Sequence, residues 1–124
     1  MTDVVTLQLP REREFFGVAH LVLGGLGARL DLTYDVLEDM TTAIDELLGR
    51  RDAVGDITLT VKIEEAAITA TVGPFSGSVA EELHGSDAEL GLRRVLETSV
   101  DDVVVSERDG AQWVELTKSL EAGA

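Results

Sequence analysis

At 124 residues, 44% of them hydrophobic, the chain is long enough for one domain with one core and too short for two. The absence of cysteine excludes disulfide frameworks, thiolate metal sites and thiol catalysis, and two histidines far apart in sequence, His20 and His84, ill suit a metal centre or a Ser-His-Asp triad. A net charge of −14, from 24 acidic and 10 basic side chains, repels nucleic acid and anionic membranes and suits either general solubility or a basic protein partner. The start of the chain has no basic leader, and no apolar run reaches the roughly 18 residues of a membrane span. The expectation is a cytoplasmic single domain over 1–124, with its core at about 4–120 and no metal site.

Residues 4–9 alternate and end at Pro10, as a short edge strand does. From Glu12 to about Arg29 the spacing predicts a helix, with Phe15, Phe16, Ala19, Val22, Leu23 and Leu26 as a broad apolar stripe. Gly24, Gly25 and Gly27 each cost about 1 kcal/mol relative to alanine in that helix, or else admit a close neighbour; spacing does not choose between these. Thr33 is the expected N-cap of a second helix running to about Arg50, with Leu37, Met40, Ile44, Leu47 and Leu48 on one buried face.

A turn over 52–56 precedes a strand in which Ile57, Leu59, Val61 and Ile63 alternate with Thr58, Thr60 and Lys62; residues 66–72 return beside it. Residues 73–77, with Gly73, Pro74 and Gly77, are expected to break regular structure. Ser86 and Glu89 have the spacing of a capping box, opening a third helix through Leu90, Val95 and Leu96. A last hairpin begins at 103–105, turns at Asp109 and Gly110, and returns through Trp113, Val114 and Leu116, with a frayed tail from Glu121. The order β-α-α-β-β-α-β-β predicts an α/β (α+β) two-layer sandwich: a mostly antiparallel sheet covered on one face by three helices.

Helical geometry places Asp39, Ala43, Glu46 and Arg50 in one narrow stripe beside the buried face of the second helix. A carboxylate there can accept or orient a hydroxyl proton near a bound electrophile. Equally, Glu46 and Arg50 can form an exposed i, i+4 pair worth about 0.2–0.5 kcal/mol.

Residues 39–46, Asp-Met-Thr-Thr-Ala-Ile-Asp-Glu, resemble the N-box helix of the GHKL-type ATPases, and in particular of RsbW-like anti-sigma factor serine kinases. Leu90-Gly91-Leu92, Val95 to Thr98, Val100 to Val103, Gly110, and Val114 with Leu116-Thr117-Lys118 resemble the closing helix and hairpin of that family. The resemblance runs from Leu9 to Leu120. It implies a GHKL sandwich that binds Mg-ATP between helices and sheet, works as a homodimer, binds a sigma factor, and phosphorylates a serine on an antagonist protein.

Transferred by position, Glu46 falls on the general base that the resemblance implies, and Arg50 on its Mg²⁺-ligating asparagine; a guanidinium has no lone pair for a metal, though it can touch a phosphate. Gly73 falls on the aspartate that accepts from the adenine amino group, a contact worth about 1–3 kcal/mol where a buried donor is left unpaired. Of the glycine pair that lets phosphates approach a helix N-terminus, Gly91 remains and Glu89 replaces its partner. In a capping box the Glu89 carboxylate would compete with phosphate for those N–H groups. Asp39 and Gly77 complete the candidate nucleotide-site residues. The expectation is an anti-sigma scaffold used for protein recognition, with ATP binding and kinase activity weak or lost. The alternatives are a working serine kinase with Glu46 as base, and an assembly module that keeps only the fold.

His20 reads as a satisfied structural histidine, and His84 as solvated. Trp113 and Val114 point to opposite faces of the last strand, so Trp113 lies on the open face if Val114 meets the helices.

Overall fold

Period-two alternation builds the sheet. The computed structural model of the chain describes residues 3–10, 12–30, 32–49, 53–75 and 92–120. Five strands, β1 (Asp3–Leu9), β2 (Ala53–Ile63), β3 (Ala67–Phe75), β4 (Asp102–Arg108) and β5 (Ala111–Ser119), form one sheet in the order β1-β2-β3-β5-β4. Every neighbouring pair is antiparallel. Inward residues Ile57, Leu59, Val61, Ile68, Ala70, Val72, Val114 and Leu116 are almost completely buried. The intervening threonines 58, 60, 69, 71 and 117 stay half-buried on the opposite face. A one-residue slip would exchange those sets, so burial of one face fixes the register.

Among the described residues, three α-helices cover the inner face: α1 (Phe16–Leu30), preceded by a 3-10 turn at Arg13–Phe15, α2 (Tyr34–Leu48) and α3 (Leu92–Ser99). The expected two-layer sandwich is the observed one. The start of α2 also lies where expected: Thr33 is extended, and its hydroxyl accepts from the Val36 N–H at 3.3 Å. Met40, Ala43, Ile44, Leu47 and Leu48 are buried against the sheet, with Ala19 and Leu23 from α1 and Leu96 from α3. No helix among the described residues is long and apolar enough to cross a membrane.

The α1 glycines divide cleanly. A Cβ on Gly27 would collide with the Leu37 side chain, its Cγ and Cδ2 both at 2.9 Å, whereas Gly24 and Gly25 face open space. Gly27 is therefore the close-approach position between α1 and α2, and its neighbours only weaken the helix.

Two strand boundaries differ from expectation. Strand β2 begins at Ala53, inside the expected turn, because Gly55 at φ +69° accommodates an irregularity between Ala53 and Thr58 in the pairing with β3. Strand β3 likewise continues through Gly73 and Pro74, joined by a cis peptide, to Phe75. Its pairing shifts between Val72 and Phe75, so the glycine and proline occupy a bulge rather than end the strand. The β4–β5 hairpin turns as expected, with Asp109 at φ 52° and Gly110 at φ 79°, the left-handed pair of a tight two-residue turn.

Candidate functional site

The two ends of α2 are tied to opposite ends of the sheet. Near its start, the Asp39 carboxylate lies 3.0 Å from the Lys118 ammonium on β5. Beyond its end, three residues separate Gly49 from Ala53, so the two lie at most about 14 Å apart. Ala53 pairs with Phe75, and Phe75 with Gln112. From Lys118 to Gln112 strand β5 covers about 20 Å, whereas α2 rises about 10 Å from Asp39 to Glu46. Asp39 and Glu46 therefore lie about 10 Å apart along α2, with Asp39 held at Lys118.

The stripe drawn from helical spacing is corrected in two respects. Ala43 is fully buried and belongs to the core, and Asp39 is half-buried in its ion pair with Lys118 instead of lying open beside Glu46. Glu46 is exposed, with no ion-pair partner among the described residues. Its neighbour Asp45 meets His20 of α1, Oδ1 to Nε2 at 2.5 Å, both side chains more than 40% exposed. His20 is thus satisfied, as expected of a structural histidine, and its contact is a surface tie between α1 and α2.

Gly73 sits on β3 with its missing side chain directed at Trp113. A Cβ there would lie 2.6 Å from Cδ2, 2.7 Å from Cε3 and 3.0 Å from Cγ of the indole. The indole fills the space that any side chain at 73 would need. On its other side the Arg108 guanidinium carbon stands 5.2 Å from the ring centroid, a cation–π distance. Trp113 is on the open sheet face, as alternation with the buried Val114 requires, but it is half-buried between Gly73 and Arg108.

Gln112 carries the signal that sequence reasoning passed over. It shares the inward alternation of Val114 and Leu116, positions at which a sheet buries apolar side chains. Its Oε1 is buried and accepts no hydrogen bond among the described residues. An unpaired buried carbonyl costs about 1–3 kcal/mol. A long polar residue in an inward register was visible in the sequence once the strand's phase was known.

The remaining expectations, at Arg50, Gly77, Glu89 and Gly91, with the Ser86 capping box and His84, lie outside the described residues. No group of three or more metal-ligating side chains is gathered among the described residues. For the nucleotide implied by the resemblance, the described residues offer a carboxylate at Glu46 and a buried acceptor at Gln112, whereas residue 73 faces Trp113 on the open side of the sheet.

No family model matches the chain. It is similar to the serine-protein kinase RsbW of Listeria innocua, 30% identical over 144 residues that span 97% of this chain and 89% of that protein. The serine-protein kinase RsbW of Listeria monocytogenes matches to the same extent. That of Bacillus subtilis is 26% identical over 142 residues, covering 95% of this chain and 86% of its own length. These spans exceed the chain's own 124 residues, so the relatives carry residues without a counterpart here. The chain belongs to the RsbW family of serine-protein kinases.

Proposed function

We propose that the protein is an anti-sigma regulatory factor that acts by partner switching, binding a sigma factor or its antagonist, with ATP binding and kinase activity weak or lost. The observation that carries this is the missing carboxylate at residue 73: where the resemblance implies an adenine-binding aspartate, the chain has Gly73, turned toward Trp113 on the open sheet face and away from the helix layer. Arg50, in place of a metal-ligating asparagine, supports the same conclusion because a guanidinium cannot coordinate Mg²⁺. Recognition then rests on surface complementarity, and the net charge of −14 suits partners with basic docking segments. We place the protein in the cytoplasm as a homodimer, in keeping with the resemblance.

A second reading, a working serine kinase, is favoured by one observation. Glu46 is exposed and not held by an ion pair among the described residues, so it is free to accept a hydroxyl proton. One experiment separates the two. The protein is mixed with a sigma factor and an antagonist encoded beside it, and complex formation and phosphate transfer from Mg-ATP are followed together. The proposal predicts complexes that form without nucleotide and little transfer to the antagonist. Rapid transfer that Glu46→Gln abolishes would establish the kinase instead.

A further inference from the structure

We infer that the C-terminal half of α1, residues 24–30, is a conformational latch that opens and closes against α2 as one unit while the first half of the helix stays docked. Such a moving part is independent of whether the protein transfers phosphate.

The two halves of α1 are held differently. In the first half, Ala19 and Leu23 are almost completely buried, half-buried Phe16 packs against the core, and His20 ties the helix to Asp45 of α2. In the second half, Gly24 and Gly25 face open space, and Ala28 and Arg29 are exposed. Among the described side chains, Leu26 holds this half, half-buried against the core. Gly27 adds the close approach of Leu37 from α2. The Leu32 N–H, donating to the Gly27 carbonyl at 3.0 Å, ties the end of the helix.

Helix propensity works against that half. Each glycine inside a helix disfavours the helical form about fivefold relative to alanine, so three together disfavour it about a hundredfold. Gly27 returns part of this through packing, whereas Gly24 and Gly25 return nothing. With little apolar burial to offset the loss, the segment belongs to the parts of a protein that open below the free energy of global unfolding. Leu23 stops the opening, because melting past it would expose a core side chain. Open, the segment uncovers Leu37 and Leu26 beside the outer face of α2, where Asp35, Glu38 and Glu46 are exposed. A partner that binds the open and closed states unequally therefore shifts the balance between them.

The test is amide hydrogen exchange of the full chain, followed residue by residue by NMR, in the wild type, the double variant Gly24→Ala with Gly25→Ala, and Gly27→Ala. Amides of residues 25–30 should exchange at one shared rate, at least about a hundredfold faster than those of residues 20–23 and of the buried face of α2. Alanine at 24 and 25 meets no neighbour and acts on the helix alone, so the double variant should slow exchange across residues 25–30 by about twentyfold and leave residues 20–23 unchanged. Gly27→Ala improves propensity equally but strikes Leu37, so it should speed exchange of the same segment, and Leu37→Ala in the same chain should reverse that sign. Three results would overturn the latch. One is exchange of residues 25–30 only through global unfolding. Another is a rate that climbs residue by residue toward the helix end, as in simple fraying. The third is a double variant that exchanges as fast as the wild type.

Discussion

Replacing Gly73 with alanine tests the packing of β3 against Trp113 on the open sheet face. The added methyl carbon would stand 2.6 Å from Trp113 Cδ2, where ordinary contact begins at 3.4 Å, so the ring must retreat by about 0.8 Å. Overpacking of this kind costs about 1–3 kcal/mol. The retreat also disturbs the Arg108 contact, at 5.2 Å, worth about 0.5–1 kcal/mol at an exposed site. Alanine returns about 0.4–1 kcal/mol by restricting the unfolded chain, since Gly73 is not at positive φ. The net expectation is a loss of about 1–2 kcal/mol, read as a urea midpoint shift of roughly 1 M. The decisive comparison is the same substitution in a Trp113→Ala background. With the ring gone, Gly73→Ala becomes neutral or stabilising by up to about 1 kcal/mol. Equal destabilisation in both backgrounds would refute the packing account. Gly73→Asp is expected to destabilise the protein in the same denaturation through the same clash, and less so in a Trp113→Ala background.

Other substitutions separate features that look alike in sequence. Gly27→Ala should cost about 1–3 kcal/mol in chemical denaturation through its clash with Leu37, whereas Gly24→Ala and Gly25→Ala should stabilise α1 by up to about 1 kcal/mol each. Asp39→Asn should cost about 0.5–1 kcal/mol by releasing Lys118, and the difference should shrink in 1 M salt because Asp39 is 40% exposed. Tyr34, the single tyrosine, donates to Glu38, which raises its pKa above the ordinary 10.0; the carboxylate's charge adds to the shift. Ultraviolet titration should therefore give a midpoint above that of a free phenol, and Glu38→Ala should return it. Because the folded pKa is the higher one, the contact supports the fold below pH 10.0 and is lost as pH rises through the folded midpoint.

Much of the architecture was legible because it depends on periodicity. The inward set Ile57, Leu59, Val61 and Ile63 and the buried face of α2 follow from spacings of two and of three or four residues, and both lie where expected. What escaped was set by contacts between elements. The ends of β2 and β3 depend on how Gly55, Gly73 and Pro74 are absorbed into a paired ladder, so their turn chemistry misled. Helical spacing put Asp39 beside Glu46, but only the position of β5 discloses that Lys118 claims Asp39. The same holds for His20, whose partner Asp45 lies on another helix. Gly73 was read as a lost ligand position from sequence alone; its close contact with the Trp113 indole on the open face is set by the register of β3 with β5 and was not legible there.

The most direct measurement is a calorimetric titration of the wild-type protein with ATP, in the presence and absence of Mg²⁺. The account predicts weak binding, with a dissociation constant well above micromolar, and little dependence on the metal, because Gly73 and Arg50 stand where the resemblance implies adenine- and Mg²⁺-binding residues. Micromolar, Mg²⁺-dependent binding of ATP would contradict it.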